Sequence, residues 1–301
     1  MITVERADGL VLLQDLGRPG HARLGVAPSG AFDVGAHLAA TAAVGNVRGA
    51  ATLEVLLGPL VLRTRRACVL AVTGADGDVL VDSLAVAPGR PFTLLPGALL
   101  TVGAARDGVR RHVAVRGGFD ATPVLGSRSR DTLAALGPAP VVVGDRLAVG
   151  DAVATAGGAA LRSGLRRSDA RDAPRGPGPT PDVLVLECLP GPRPELFAAD
   201  ALARLAERVA VVSDRCDRVA VRLDGVAVER VDDTELPSEG LVAGAVQVPP
   251  SGQPVVMGPD HPLTGGYPVL AVLTRASLDA LAQVRPGARV RLVVPKASGE
   301  R

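Results

Sequence analysis

Aromatic residues and lysine are almost absent from this chain of 301 residues. It has no tryptophan, Tyr267 is its single tyrosine, and Lys296 is the only lysine among 33 basic residues. A Walker-type phosphate loop needs a lysine after glycine, so that loop is excluded. Lys296 stands five residues from the last one, which makes it a poor candidate for biotin attachment or a Schiff base. We therefore expect arginine, backbone N–H groups or helix N-termini to hold any anionic ligand.

Cysteines and targeting signals are scarce as well. Cys68, Cys188 and Cys216 show no CxxC spacing, which argues against structural zinc and against a disulfide framework. We find no secretion signal and no apolar span of about 18 residues. The formal charge is +2 and no basic block carries interleaved aromatics, so neither nucleic acid nor a membrane is an expected partner. We expect a soluble cytoplasmic protein.

The chain is rich in short apolar runs of Val, Leu and Ala, and 36 Gly and 25 Pro interrupt these runs. Runs bounded by Gly, Pro or Asp predict many short strands. In the first half, ITVERA and LVLLQ flank the Asp8-Gly9 turn signal and predict a hairpin. A helix is predicted at about 32–44, with Asp33 or Ser29 as its N-cap.

The composition also predicts the domain organisation. Residues 157–180 are charged and rich in Gly and Pro, which is typical of a flexible linker. This linker would join an N-terminal lobe at 1–156 to a C-terminal lobe at 181–301. The second lobe is again rich in predicted strands, with helices at about 199–208 and in SLDALAQV, where Ser277 is the predicted N-cap. Because neither lobe alternates strand and helix, we predict a mainly β fold of two β-barrel-like lobes with a few short helices.

Polar clusters stand where the predicted elements end. They are QDLGR at 14–18, SGAFD at 29–33, GSRSRD at 126–131, CDRVAVRL at 216–223, SEG at 238–240, QVPPSGQ at 247–253 and DHPLTGGYP at 260–268. Each cluster alone is typical of a turn or cap. Together they favour a cleft, because arginine and carboxylate recur at strand ends in both lobes. The four histidines show no metal-ligand spacing, so we expect structural or surface roles for them.

The stretch DHPLTGGYP places Tyr267 beside Gly265 and Gly266. One interpretation is a packed turn that the tyrosine anchors. The other is a concave site, in which the glycines allow a close backbone approach and the phenol meets a ligand. We favour the second.

The motifs resemble a known family when they are taken in order. QDLGRPGHARLGVAPSGAFD, TGA at 73–75, GSRSRD, SEG, GAVQVPPSGQPVV and TGGYP are similar to the KipA-type family. This family is also called the biotin-dependent carboxyltransferase or allophanate-hydrolase-subunit-2 family, and it includes subunits of ATP-dependent 5-oxoprolinases. The resemblance runs from about residue 1 to 295. It implies two cyclophilin-like β-barrel lobes and a KipI-type partner.

Two motifs depart from the family pattern. Where the family reads close to SDRMGYRL, this chain keeps the aspartate and both arginines but has Val219, Ala220 and Val221 between them. Where the family often reads DxQTTGGYP, Pro262 and Leu263 replace an amide and a hydroxyl. The resemblance therefore supports the roles of the arginine and aspartate positions better than it supports any hydrogen bond from the lost amide.

The resemblance implies one subunit of an ATP-dependent 5-oxoprolinase, which cleaves 5-oxo-L-proline to L-glutamate. The partners would be a B subunit of the KipI type and an A subunit of the LamB/YcsF type, with ATP and Mg²⁺ used by the assembly. One alternative is a component of a biotin-dependent carboxyltransferase that acts on a urea-like or amide nitrogen, with biotin attached to another protein. The other alternative is a non-catalytic regulatory partner of a KipI-type kinase inhibitor.

Candidate residues follow from this resemblance and from the dependence on arginine. Phosphoryl transfer needs cationic stabilisation, and a substrate carboxylate needs a bidentate fork. The candidate catalytic residues are Arg218, Asp217, Arg222 and Asp33. The candidate substrate-binding residues are Arg18, Ser29, Arg128, Gln247, Asp260, Thr264, Gly265, Gly266 and Tyr267. For the acids Asp33, Asp217 and Asp260, three roles stay open, namely orienting the arginines, binding Mg²⁺ and forming salt bridges across strands.

Overall fold

The computed structural model describes residues 1–154, 181–231 and 236–295. The chain divides into two compact units. The described part of the first unit comprises 1–18, 29–131 and 135–154, and that of the second comprises 19–28, 132–134, 181–231 and 236–295. The predicted linker at 157–180 lies outside the described residues.

The first unit is built from strands and one helix. The strands are β1 (Ile2–Ala7), β2 (Val11–Gln14), β3 (Thr52–Leu56), β4 (Leu60–Thr64), β5 (Cys68–Gly74), β6 (Val79–Val81), β7 (Leu84–Ala85), β8 (Phe92–Leu94), β9 (Leu99–Val102), β10 (Arg110–Val115), β11 (Phe119–Asp120) and β12 (Arg146–Val149). They form a seven-stranded sheet in the order β11-β12-β1-β4-β9-β6-β7 and a five-stranded sheet in the order β2-β3-β10-β5-β8. Side chains from both sheets, mostly Val and Leu, form one buried core.

The predicted hairpin at Asp8-Gly9 is wrong. Strand β1 pairs with β4 and β12 in the larger sheet, whereas β2 pairs with β3 in the smaller one. A Cβ on Gly9 would lie 2.1 Å from the Leu56 carbonyl oxygen, so glycine is needed there for a close backbone approach. The turn signal marked a change of sheet rather than a reversal between paired strands.

Helix α1 (Val34–Ala43) covers the second face of the smaller sheet. Asp33 caps it, because the aspartate side chain accepts a hydrogen bond from the Ala36 amide at 2.8 Å. Ala40 on the helix packs against Ala71 and Ala114 on strands β5 and β10. The predicted helix and its cap are confirmed.

The second unit contains a closed barrel. Its strands are β13 (Leu184–Pro190), β14 (Ala210–Cys216), β15 (Ala220–Asp224), β17 (Ala245–Gln247), β18 (Val255–Met257), β20 (Val269–Leu273) and β21 (Arg289–Val293), in the order β13-β20-β17-β18-β15-β14-β21. A separate two-stranded ribbon consists of β16 (Glu239–Gly240) and β19 (Thr264–Gly265). Leu223, Val246 and Val256 are completely buried and belong to the core of the second unit.

Two short helices accompany the barrel, α2 (Ala201–Glu207) and α3 (Arg275–Leu281). The predicted N-cap of α3 is wrong. Thr274 caps the helix by accepting from the Ser277 amide, while the Ser277 hydroxyl is buried and accepts from the Glu187 amide at 2.7 Å. A serine three residues after a threonine offers two possible caps, and packing on β13 decides between them.

The described part of the chain is therefore mainly β with three short α-helices, and the predicted fold class is confirmed. Among the described residues, no helix has the length and apolar character needed to cross a membrane.

Candidate functional site

Asp15 is the centre of a buried polar cluster in the first unit. Its carboxylate accepts hydrogen bonds from the hydroxyls of Ser127 and Ser129, both at 2.6 Å, and from the backbone amides of Arg128 and Gly17 at 2.7 and 2.8 Å. The QDLGR and GSRSRD clusters therefore meet in the first unit. With four donors the carboxylate is fully engaged, so it organises these loops rather than offering a free base.

Arg18 is almost fully buried in the same cluster. Its Nη2 donates to the Ser129 carbonyl and its Nε donates to the Val124 carbonyl at 3.3 Å. A buried guanidinium that binds main-chain carbonyls fixes the loop. This geometry favours a structural role over the predicted contact with substrate.

The SGAFD cluster packs against the QDLGR turn. The Ala31 amide donates to the Asp15 carbonyl at 2.9 Å, and a Cβ on Gly30 would lie 2.9 Å from the Gly17 amide nitrogen. Ser29 and Gly30 both have positive φ, 54° and 103°, so the chain turns sharply there. The Ser29 hydroxyl is half-buried and lies 3.4 Å from the Arg130 carbonyl. Asp33, at the end of the cluster, is committed to the cap of α1.

The Arg128 side chain points in a different direction from its backbone. Its guanidinium binds the exposed Asp120 carboxylate at 2.8 Å, and both side chains are more than a third exposed. Such a pair contributes little to stability, so Arg128 can exchange its partner for another anion.

Glu54 and Arg110 form a second buried group that the sequence analysis missed. Glu54 accepts from the Phe32 amide at 2.9 Å, and its other oxygen lies 3.6 Å from Arg110 Nε. The Arg110 guanidinium stacks over the Phe32 ring at 4.5 Å. These contacts fix the SGAFD loop to strands β3 and β10, which carry Glu54 and Arg110. The available signal was the presence of charged residues within two apolar runs, LEVLLG at 53–58 and RRHVAV at 110–115.

His37 and His112 contact the same buried hydroxyl. Both Nδ1 atoms lie near the Thr52 hydroxyl, at 3.1 and 3.0 Å, and His37 Nε2 lies 3.0 Å from the Arg48 carbonyl. Because a carbonyl only accepts, His37 donates from Nε2 to the Arg48 carbonyl. The Thr52 hydroxyl, which donates to the Gln14 carbonyl at 3.3 Å, lies between the two Nδ1 atoms. Burial lowers the pKa of His37, against the opposing effect of its bond to Arg48. The expectation of structural roles holds for this histidine pair.

Arg218 and Asp260 form a buried bidentate pair in the second unit. Arg218 Nε and Nη2 donate to the two Asp260 oxygens at 2.8 and 3.0 Å, and neither side chain is more than 4% exposed. The amide and hydroxyl of Thr132 also donate to Asp260, at 2.9 and 2.8 Å. The guanidinium fork that we predicted for a substrate carboxylate thus binds a carboxylate of the protein itself.

Asp217 stands next to this pair but faces solvent. Its carboxylate accepts from the amides of Val219 and Ala220, at 2.7 and 3.0 Å, and so closes the turn into β15. The substitutions relative to the family pattern are accommodated by packing. Val221 is buried, and Ala220 packs against a small cluster that includes Val255 and Met257.

Arg222 and Gln247 lie on the same face of the barrel. Both are paired with Val255, Arg222 from β15 and Gln247 from β17, so the three side chains form a row across neighbouring strands. Arg222 is half-buried, and its side chain has no hydrogen-bond or ion-pair partner among the described residues. It is the catalytic candidate whose guanidinium is available to a ligand.

The DHPLTGGYP stretch lies at the end of this row. Gln247 Nε2 donates to the Tyr267 carbonyl at 3.0 Å, and a Cβ on Gly265 would lie only 2.6 Å from that nitrogen. Gly265 thus permits close packing of the glutamine, while neither Gly265 nor Gly266 has positive φ. Tyr267 is 43% exposed, and within the described ranges its hydroxyl has no partner. Thr264 is also exposed.

The described part of the chain offers few residues suited to metal binding or to thiol catalysis. No set of three or more His, Cys, Asp or Glu within it is arranged to hold a metal ion. Burial raises the pKa of the Cys188 thiol to about 11 and also raises that of Cys68. These two cysteines are therefore thiols at neutral pH and poor nucleophiles.

Residues 24–294 match the family described as carboxyltransferase domain, subdomain A and B. The chain belongs to this family. It is 33% identical to the C subunit of 5-oxoprolinase from Escherichia coli, over 97% of this chain and 91% of that protein. It is 31% identical to the C subunit of 5-oxoprolinase from Haemophilus influenzae, over 97% and 90% of the two chains.

Larger proteins contain a similar part. Urea amidolyase of Lachancea kluyveri is 28% identical over 92% of this chain, which corresponds to 16% of that protein. The crystal structure of Kluyveromyces lactis urea carboxylase matches with a TM-score of 0.84 and 25% identity. That match covers 97% of this chain but only 27% of the urea carboxylase. The predicted resemblance to the carboxyltransferase family and to a 5-oxoprolinase subunit is confirmed, and the relatives are enzyme subunits and larger enzymes.

Proposed function

We propose that this chain is the C subunit of an ATP-dependent 5-oxoprolinase, which opens 5-oxo-L-proline to L-glutamate. The observation that carries the proposal is the sequence match to a 5-oxoprolinase C subunit, which reaches 33% identity over 97% of this chain. The match to a urea amidolyase is weaker, at 28% identity over 92% of this chain.

The proposed partners are a B subunit of the KipI type and an A subunit of the LamB/YcsF type, assembled in the cytoplasm. A lactam is unreactive towards water at neutral pH, so ATP would activate its oxygen as a phosphate ester. Mg²⁺ would accompany the ATP phosphates. We assign both ATP and Mg²⁺ to the assembly as a whole rather than to named residues of this chain.

In this proposal Arg222 binds an anionic group of the substrate. Its half-buried guanidinium is without a described partner, whereas Arg218 is engaged by Asp260. Val255 and Gln247 stand beside Arg222 in this row but are buried, so Arg222 is the member of the row that a substrate can reach. The exposed side chain of Tyr267 lies near the end of the row. The Arg218–Asp260 pair then acts by holding this surface in place.

Reconstitution tests the proposal directly. The chain is purified with and without the two partners, and ATP-dependent release of glutamate from 5-oxo-L-proline is measured. We expect turnover only in the complete assembly and loss of turnover when this chain is omitted. Full turnover by the chain alone, or unchanged turnover without it, would contradict the assignment.

A second candidate function is carboxyl transfer from carboxybiotin to a urea-like or amide nitrogen. The structural match to urea carboxylase, with a TM-score of 0.84, favours it. Biotin would be attached to a separate carrier and charged by a biotin carboxylase. Transfer of labelled bicarbonate to urea, in the presence of those two proteins, distinguishes it from lactam opening. A purely regulatory partner would bind the KipI-type protein and support neither reaction.

A further inference from the structure

A cavity of about 460 Å³ opens beside helix α2 in the second unit. Its walls come from α2, from the stretch 227–230 and from the turn 250–252. The turn 250–252 belongs to the QVPPSGQ cluster, but none of the lining residues is among the candidate catalytic or substrate-binding residues named from the sequence. Its volume lies in the range of small-molecule binding sites.

The walls of this cavity are tied together by main-chain hydrogen bonds. Phe197 and Arg230 form an isolated β-bridge, which fixes the stretch after β15 beside the entrance to α2. The Val228 amide donates to the Gly252 carbonyl at 2.9 Å. Gly252 has a φ of 75°, and a Cβ there would lie 3.0 Å from the Val228 oxygen, so the turn fits closely. The cavity is thus preformed, which lowers the cost of binding.

Positive charge is concentrated on these walls. The lining includes Arg204, Arg208 and Arg230, and Glu229 is the only acid among the residues that line the cavity. Arg204 binds Asp200 at 2.7 Å and lies 3.8 Å from Glu229, but all three side chains are more than half exposed. Such pairs exchange partners readily. Arg208 is exposed, and its side chain has no partner within the described ranges.

The remaining lining is largely aliphatic. Ala201, Leu205 and Val228 supply buried apolar surface, and neither an aromatic ring nor a histidine lines the cavity. A nucleobase would find nothing to stack on. A short aliphatic stem with an anionic head group matches both parts of the lining.

We propose that this cavity binds a small aliphatic anion, whose carboxylate or phosphate group is held by Arg204 and Arg208 and whose stem packs on Leu205 and Val228. The proposal is independent of the proposed function, because it concerns the lone chain and other residues. The planar guanidinium of arginine is well suited to this, because it can donate two parallel hydrogen bonds to a carboxylate or phosphate.

Calorimetric titration of the full chain tests it with three probes. Glutarate carries two carboxylates on an aliphatic stem, inorganic phosphate carries the head group alone, and glutaramide is the uncharged control. We expect glutarate or phosphate to bind with a Kd of about 1 mM or below and glutaramide not to bind. Comparison of the two anions shows whether the aliphatic stem adds to the binding of an anionic head group.

Matched arginine variants locate the binding. Arg208→Gln should weaken binding about tenfold, as expected for the loss of one charge-assisted contact. Arg215→Gln is the control, because Arg215 is exposed on β14 and does not line the cavity. Thermal melts of both variants check that each is folded. The proposal is overturned if neither anion binds saturably, if glutaramide binds equally well, or if Arg215→Gln weakens binding as much as Arg208→Gln.

Discussion

Arg218 and Asp260 are joined by two parallel hydrogen bonds, 2.8 and 3.0 Å long, in a place almost closed to solvent. Main-chain bonds reinforce the connection, because the Asp260 amide donates to the Arg218 carbonyl at 3.1 Å. The pair therefore fixes the start of β15 to the start of the DHPLTGGYP stretch. Removing one partner of a buried pair is costly, because the other charge loses its counter-ion.

Replacing Asp260 by asparagine should therefore destabilise the chain strongly. We expect Asp260→Asn to lower the free energy of unfolding by about 3–5 kcal/mol, measured by urea denaturation. Asp217→Asn is the matched control, because Asp217 is exposed and an asparagine oxygen can accept the same two amides. The control should change stability by about 0.5 kcal/mol or less. An effect of Asp260→Asn as small as that expected for the control would show that the buried pair contributes little to stability.

Arg222 should show the opposite behaviour. We expect Arg222→Gln to leave the unfolding free energy within about 0.5 kcal/mol of the parent, since the side chain has no described partner. In the reconstituted assembly the same change should reduce turnover on 5-oxo-L-proline at least about tenfold, because an ionic contact with substrate is lost. Arg215→Gln, on β14, serves as the exposed control. Normal turnover of Arg222→Gln would remove Arg222 from the site.

Strands could be predicted well from the sequence, because short runs of Val, Leu and Ala between turn residues report directly on buried segments. Pairing could not, as the ITVERA and LVLLQ strands show: the local turn signal is the same whether a chain reverses or changes sheet. The closed barrel depends on contacts between β13 and β21, which are far apart in sequence. A local sequence pattern does not predict pairing between strands that are far apart in the chain.

The candidate site was predicted only in part, for a similar reason. Residue types identified the loops, and the QDLGR, SGAFD and GSRSRD clusters do meet in the first unit. The sequence alone could not show, however, which residue pairs with each charged side chain. Arg218 finds Asp260 at a separation of 42 residues, and Glu54 reaches back to the Phe32 amide. Charge pairing decides whether an arginine serves the fold or a ligand, and it becomes visible only in three dimensions.

The buried side chain of His37 should make stability depend on pH. The pKa of His37 is lowered in the folded chain, so between that pKa and about 6.5 the unfolded chain binds more protons than the folded one. Stability should therefore fall as the pH drops below about 6.5 and level off below the folded pKa. His37→Gln should flatten the curve in this window, as followed by urea denaturation at each pH. Parallel curves for the two proteins would contradict this origin.

Tyr267 should matter for activity and not for folding. Its hydroxyl is without a partner in the described part of the chain, so Tyr267→Phe should leave the melting temperature nearly unchanged. If the phenol meets a ligand, turnover of the reconstituted assembly should fall. Melt and turnover are measured on the same preparations. A lowered melt with normal turnover would make the tyrosine an anchor of the turn instead.

The two neighbouring glycines should differ sharply in their tolerance of a methyl group. A Cβ at Gly265 would lie 2.6 Å from Gln247 Nε2 and 2.9 Å from Leu241 Cδ1, whereas at Gly266 the nearest atom is the Leu236 oxygen at 3.3 Å. We expect Gly265→Ala to displace Gln247 from the Tyr267 carbonyl and to cost about 1–3 kcal/mol of stability. Gly266→Ala should stay within about 0.5 kcal/mol, because its φ is not positive.

A double-mutant cycle identifies the cause of the difference. If the clash with Gln247 is responsible, Gln247→Ala should make room for the new methyl group, so the double variant should lose less stability than the sum of the two single losses. Urea denaturation of the four proteins gives the coupling free energy, which we expect to be about 1 kcal/mol. Additive losses would mean that Leu241, rather than the glutamine, sets the requirement for glycine at position 265.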